Sequence, residues 1–397
     1  MSRNGIFLFF VCQGIMFYIN PMMKGRKGRM KFIAQQEDLY QSLQFVKSAV
    51  ATKTTVPILT YVYLRAEDDT LYLQGNNLEI GLALSMPVIV EEQGEVCLPA
   101  SLFIDIISKL PSVTLEIHVN ERNRAVIHAG YSDIEIQGEN TGEFPKVEFQ
   151  DVSEYNALLD RTEFAKAIKQ TIFAAAEDEI KQILTGVLFE SRDEKLNLVA
   201  VDGHRLALKS LELERDFPQT VVPARGLKEW QKIISKTKDD KVSIATLDSQ
   251  ILFNCGDIHF ISRLLQGQFP AYDKIIPTDF VASFRCSRKD FFDLLGRMEV
   301  LAEIDQTNTV KIAISSNEVM VSTLPSERGT AKEILPAEIN ISETGLEIGF
   351  NVEYLMDPLS NMDSDEIEMK LTSNLGPALI KVPEDESYMY VVMPVRL

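Results

Sequence analysis

Hydrophobic and polar positions along this chain form blocks that recur about every 125 residues. Each block opens on a short alternating run, residues 31–34, 155–159 and 282–286, the pattern of a half-buried strand. The spacing then becomes helical. Leu39, Leu43 and Val46 fall at i, i+4 and i+7, one apolar stripe on a helix over 36–49; the counterparts span 162–176 and 287–302. Alternating strands follow at 70–74, 195–199 and 318–322, then second helices at 100–109, 224–236 and 352–361. Further strands at 114–119, 242–246 and 366–371 close each block. Thr162 and Ser287 stand where an N-cap is needed, with acidic residues close behind them.

Particular residues repeat as well as patterns. Ile58-Leu59-Thr60 returns as Ile183-Leu184-Thr185, Leu71 and Leu73 as Leu196 and Leu198, and Phe144-Pro145 as Phe269-Pro270, each 125 positions on. Leu39, Phe164 and Phe291, each after an acidic residue, open the first helices. The predicted fold class is therefore α+β: three repeated domains, each with two helices and two small β-sheets. Their expected bounds are 30–153, 154–278 and 279–397, after an extension at 1–29. No block shows the strand–glycine loop–helix order of a nucleotide-binding sheet. Duplication alone specifies no function, although similar domains can assemble with pseudo-symmetry.

Composition narrows this. The chain is 45% hydrophobic and 25% charged, which suits a folded globular protein. Its net charge of −18 argues against a uniformly nucleic-acid-binding surface, since phosphate contacts need Lys and Arg. Net charge is a sum, however, and basic residues can be concentrated on one surface. Arg225, Lys228, Lys232 and Lys236 step along one helical face, with Lys238 beyond them. Lys166 and Lys169 share a face of the preceding helix, and Arg288, Lys289 and Arg297 lie on or near the first helix of the third block. Residues 91–95, 363–368 and 384–386 are strongly acidic. Solvated helix faces explain any one such group; several in a repeated architecture predict a shared surface facing phosphates.

The four cysteines, Cys12, Cys97, Cys255 and Cys286, include no C-x-x-C and share no metal-ligand spacing with the histidines. They predict no disulfide framework, no metal site and a reducing, cytoplasmic setting. Asn340-Ile341-Ser342 matches a glycosylation sequon of a kind common by chance. The extension holds an apolar run, residues 6–19, then basic residues from Lys24 to Arg29. At 14 residues the run is short for a membrane span. It resembles a signal h-region without a small-residue cleavage site, which would suit a secreted or tethered protein, or it precedes a true start at Met30. The latter, with no membrane partner, is the expectation. Asp202, His204 and Arg205 could form a catalytic cluster with His204 as general base. No nucleophile motif accompanies them, and no G-x-S-x-G, H-E-x-x-H or P-loop occurs, so no catalytic residues and no cofactor are predicted.

Four segments carry a resemblance. They are Val201-Asp202-Gly203-His204-Arg205-Leu206-Ala207, Gln268-Phe269-Pro270-Ala271-Tyr272, Ile348-Gly349-Phe350-Asn351-Val352, and the terminal Tyr390-Val391-Val392-Met393-Pro394-Val395-Arg396-Leu397. In this order over three repeats, the chain from Met30 to Leu397 resembles the bacterial DNA polymerase III beta subunit, the sliding clamp. The resemblance implies a head-to-tail homodimer, a ring of six domains that encircles duplex DNA without reading sequence and slides on it. It implies a processivity factor without catalysis of its own, which tethers the polymerase alpha subunit, the clamp loader and other clamp-binding proteins. The implied peptide pocket comprises Leu184, Gly203, His204, Arg205, Leu206, Pro270, Lys274, Ile275, Tyr354, Met393, Pro394, Val395, Arg396 and Leu397. DNA would be faced by Lys53, Lys166, Lys169, Arg225, Lys228, Lys232, Lys236 and Arg288. Ile134 and Ile136 of one copy would meet Val300 and Leu301 of the other. Lys274 stands where the family often has Arg, and Gln182 and Ile183 stand where some relatives have aromatic residues. Deleting residues 391–397 is expected to abolish polymerase stimulation and leave the dimer intact.

Overall fold

The computed structural model describes residues 29–147, 155–304, 308–327, 329–341 and 345–397. The apolar run at 6–19, Cys12, the expected boundary at 153/154 and Ser342 of the sequon lie outside these residues. The chain divides into two compact units, one of residues up to 151 with 257–261, the other of 152–256 with 262–397.

In the first unit, α1 (Gln36–Lys47) buries Leu39, Leu43 and Val46, the predicted stripe. The second helix, α2 (Ala100–Lys109), has the predicted bounds and buries Phe103, Ile104 and Ile107. Five strands run in the order Ile89–Glu92, Met30–Gln35, Thr114–Val119, Arg124–Ala129, Ser132–Gln137. The central strand alternates as a half-buried strand should: Leu115, Ile117 and Val119 are buried while Thr114, Glu116 and His118 are not. Four more strands, Ile80–Pro87, Thr70–Asn76, Tyr61–Glu67 and Gly94–Pro99, pair antiparallel in that order.

The second unit holds α3 (Arg161–Thr171), α4 (Ala224–Ile234), α5 (Arg288–Ile304) and α6 (Val352–Asn361). Its main sheet has nine strands: Thr220–Pro223, Gly186–Arg192, Lys195–Val201, Arg205–Glu212, Tyr388–Val392, Ala378–Lys381, Glu366–Leu371, Ala282–Ser287 and Glu338–Ile341. The terminal strand joins the second repeat to the third. Leu206 pairs with Val391 on one side of it, and Leu379 pairs with Val391 on the other.

The repeat extends to single hydrogen bonds. The last carbonyls of a helix have no intrahelical donors. In each repeat the first residue of the first helix supplies one to the end of the second helix. Gln36 Nε2 donates to Ile107 O at 2.6 Å, Arg161 Nη1 to Ile234 O at 3.0 Å, and Arg288 Nη1 to Leu359 O at 2.7 Å. Each arginine also donates through Nε to a carbonyl just beyond, Asp239 O at 2.8 Å and Ser364 O at 2.6 Å. A guanidinium there also meets the negative end of the helix dipole. Arg288 was expected to face DNA; its guanidinium instead completes α6. The N-caps divide likewise. Ser287 Oγ accepts from Asp290 N at 3.2 Å, as expected. For α3 the cap is Asp160, not Thr162: its Oδ1 accepts from Thr162 N at 2.9 Å and Glu163 N at 3.1 Å. That helix ends at Thr171, short of the predicted 176, and passes into a 3-10 turn at Ile172–Ala174.

Candidate partner-binding pocket and positive helix face

The repeated Leu and Phe positions form the base of the candidate pocket. In the first unit Leu59 and Phe144 share a buried cluster with Tyr63. In the second, Leu184 and Phe269 share one with Leu188, Leu206, Tyr272 and Val391, against which Ile275 packs. Leu184 and Leu206 are therefore floor, not rim. Leu206 has no exposed surface and does not meet a ligand directly in this conformation.

The turn before Leu206 is set by Asp202, whose Oδ1 accepts from His204 N at 2.8 Å and Arg205 N at 3.0 Å. Gly203 takes φ +99°, a conformation open to glycine at little cost. Arg205 is not free to meet a peptide. Its Nε donates to Asp202 Oδ2 and its Nη2 to Phe173 O, both at 2.8 Å, and its Nη1 to Asp357 Oδ2. The guanidinium also lies 4.3 Å from the centre of the Tyr354 ring. Burial opposes its charge, but Tyr390 and the two carboxylates outweigh this and raise its pKa. Arg205 thus ties α6 to the segment after α3. Asp202 is engaged in the same tie through both carboxylate oxygens, so the cluster serves structure.

Above this tie, His204 stacks on Tyr354 with centroids 6.2 Å apart. The tail beyond the terminal strand is held at two points. Met393 N donates to His204 O and Val395 N to Gly349 O, both at 2.8 Å. A Cβ at position 349 would lie 2.8 Å from Val395 O and from Leu397 Cδ2, so this approach needs glycine. Met393, Val395 and Leu397 remain 38%, 37% and 57% exposed, unusual for apolar side chains strapped to a fold. Pro270, Lys274 and Arg396 are exposed, and Pro394 is half-buried. The structure thus gathers His204, Tyr354 and the tail around one site, with Ile275 packed on the cluster that forms its base. Val391 and Val392, by contrast, are core residues paired on both sides. Deleting 391–397 would remove sheet as well as tail, so the informative truncation is 393–397. Asp357, Phe173 and Gly349 also build this site. Only Gly349 lay within a recognisable motif; nothing local in the sequence couples Arg205 to Asp357.

The basic residues expected to face phosphates differ in their surroundings. Arg225, Lys228, Lys232 and Lys236 are exposed, while the other face of α4 buries Leu227, Trp230, Ile233 and Ile234. Lys232 pairs with Glu229 at 2.8 Å. Lys169 is exposed; Lys166 is half-buried and pairs with Asp363 at 3.2 Å. Lys53 is exposed in the first unit. In the third repeat Lys289 is paired with Asp293 and Arg297 with Glu333, and α6 carries Glu353 and Asp357 but no cation.

The expected contact surfaces lie at accessible places with one exception. Ser132–Gln137 is an edge strand, where Ile134 is partly exposed, but Ile136 is 2% exposed and belongs to its own core. On α5, Val300 is 60% exposed and Leu301 partly buried. Among the described residues there is no His/Cys/Asp/Glu group able to hold a metal, and no helix long and apolar enough to cross a membrane.

Known proteins match along the chain. Residues 30–148, 158–271 and 273–396 match the N-terminal, central and C-terminal domains of the DNA polymerase III beta subunit family. The beta sliding clamp of Staphylococcus epidermidis is 31% identical over 378 residues, covering 92% of this chain and 99% of that protein. The crystal structure of the DNA polymerase sliding clamp from Bacillus subtilis superposes with a TM-score of 0.88 at 30% identity, over 93% of this chain and 100% of that one. The sliding clamp from Pseudomonas aeruginosa bound to griselimycin gives 0.85 at 30% identity, over 93% and 100%. With all three domains matched in order over nearly the whole of its relatives' length, the chain belongs to the DNA polymerase III beta subunit family, the beta sliding clamps.

Proposed function

We propose that two copies of this chain, each with domains at 30–153, 154–278 and 279–397, close head to tail into a ring around duplex DNA. As a beta sliding clamp the chain is a processivity subunit and not a catalyst. The positive face of α3 and α4 supplies mobile, sequence-independent phosphate contacts, which suit sliding because they are weak and exchange readily. Lys53 adds to this surface from the first domain. The ring closes between the edge strand carrying Ile134 and the α5 surface carrying Val300 and Leu301; such closure leaves no end for further growth.

The polymerase alpha subunit, the clamp loader and other partners dock as short peptides at the site of Met393–Leu397, His204, Pro270, Lys274, Ile275 and Tyr354. One observation carries this reading: a terminal apolar tail is held open to solvent by main-chain bonds, beside a buried apolar cluster. A few Leu or Phe anchors of a peptide would cover that surface and supply most of the binding energy. The test is a chain lacking 393–397, compared with the intact chain for griselimycin binding and for stimulation of polymerase on primed circular DNA. The expected outcome is loss of at least about tenfold in griselimycin affinity, the scale of a removed hot spot, and loss of stimulation, with solution mass unchanged. Undiminished binding and stimulation would refute the pocket.

A further inference from the structure

The first repeat reproduces the turn and floor of the candidate pocket at an offset of 125 residues, down to single hydrogen bonds. Asn77 stands at the position of Asp202. Its Oδ1 accepts from Glu79 N at 3.0 Å and Ile80 N at 2.9 Å, as Asp202 Oδ1 accepts from His204 N and Arg205 N. Asn77 N donates to Ile80 O at 3.1 Å, and Asp202 N to Arg205 O at 3.3 Å. Ala51 N donates to Leu59 O at 3.0 Å, and Ala176 N to Leu184 O at 2.9 Å. Thr60 Oγ1 donates to Pro57 O and Thr185 Oγ1 to Gln182 O, both at 2.8 Å. In the floor, Leu59, Tyr63 and Phe144 occupy the positions of Leu184, Leu188 and Phe269.

Glu79 and Ile80 stand at the positions of His204 and Arg205, but the decisive difference falls on the residue with positive φ. Where the second repeat has Gly203, the first has Leu78. Gly203 takes φ +99°, and a Cβ there would meet nothing within 4 Å, so the space beside it is open. Leu78 takes φ +71°, in the left-handed region that bulky side chains rarely enter. Glycine would hold this turn at little cost. Leucine holds it only under strain, and strain of this kind points to a role for the side chain. What the leucine adds is an aliphatic group: its half-buried side chain packs on the cluster of Ile58, Leu59, Tyr63 and Phe144.

We propose that the first repeat holds a closed copy of the partner pocket, and that Leu78 closes it, its side chain taking the place that a peptide's Leu anchor takes in the second repeat. Leu78 is thus a specificity-determining residue that confines peptide docking to one site per chain. This inference rests on the pocket reading above. It predicts that the two turns exchange roles when glycine and leucine are exchanged.

Photo-crosslinking tests this with the intact chain and two single variants. The probe is a peptide with two Leu anchors and one Phe anchor, one Leu being replaced by photoleucine, and labelled positions are mapped by mass spectrometry. On the intact chain the label is expected around 184–206, 269–275 and 393–397 and not in the first repeat. Leu78→Gly relieves the strained turn; it should keep that label and add a second set at 58–80 and 144–147. Gly203→Leu should close the pocket and weaken peptide binding by at least about tenfold, the scale of a lost hot spot. Its fold should survive, because the first repeat already carries leucine in the same turn. No new label on Leu78→Gly, or undiminished binding to Gly203→Leu, would overturn the plug and leave the pocket standing. An intact chain left unlabelled around the pocket would overturn the pocket reading, and the plug with it.

Discussion

At the scale of single residues, Arg205 shows how a motif residue can be recognised and its role misjudged. Its place in the Asp202–Ala207 segment was legible, and family resemblance set it in a peptide pocket. The structure gives it to Asp202, Asp357 and the Phe173 carbonyl instead. Asp357 is 152 positions away, so no local pattern announces the pair. Glu95 is a comparable knot in the first unit. It accepts from Thr141 Oγ1 at 2.5 Å, Tyr63 OH at 2.6 Å and Lys146 Nζ at 2.9 Å. Burial would raise its pKa, but these three donors outweigh burial and hold it below the ordinary 4.5. A carboxylate depressed in the folded state stabilises fully above its unfolded pKa, and that contribution is lost as pH falls through the folded value. Glu95→Gln should therefore unfold at a lower temperature than the unaltered chain at pH 7. The gap between the two should narrow only below about pH 4.5, where the unfolded carboxyl begins to protonate. Thermal unfolding followed across this range tests the assignment; a gap that does not change with acid would contradict it.

At the scale of elements, the hydrophobic pattern was the more reliable guide. The bounds of α2, α6 and the strands Thr114–Val119 and Glu366–Leu371 were read directly, because alternation and helical spacing there are uninterrupted. The end of α3 was not, since Ile172 and Phe173 continue the apolar pattern while the backbone tightens into a 3-10 turn. The shared role of Gln36, Arg161 and Arg288 was also hidden: each looks like an ordinary polar residue at a helix start. Geometry makes them ties between the two helices of a repeat. Arg161→Ala and Arg288→Ala should each cost about 1.5–3 kcal/mol, the range for hydrogen bonds that involve a charged group. In a unit of this size that is a fall of several degrees in unfolding temperature, readable by calorimetry. The proposed DNA contacts distinguish the two readings of Arg288: if it served DNA alone, Arg288→Ala would leave the unfolding temperature unchanged.

At the scale of the whole molecule, the repeat and its family were legible because the same residues recur at a fixed spacing. How the second and third repeats join was not. The terminal strand enters between Arg205–Glu212 and Ala378–Lys381, a pairing that sequence alternation alone does not specify. The charge distribution fits a protein that surrounds DNA and resists binding it elsewhere. Net charge is −18, yet α4 presents Arg225, Lys228 and Lys232 on its exposed face, with Lys236 exposed just beyond its end. Such a ring holds by topology, and its phosphate contacts need only be diffuse. Everything in that account depends on two copies closing on each other. Multi-angle light scattering across micromolar concentrations, on the full chain and on one beginning at Met30, tests this most directly. The account predicts a mass of two chains for both, constant over the range; a mass of one chain throughout would contradict the ring.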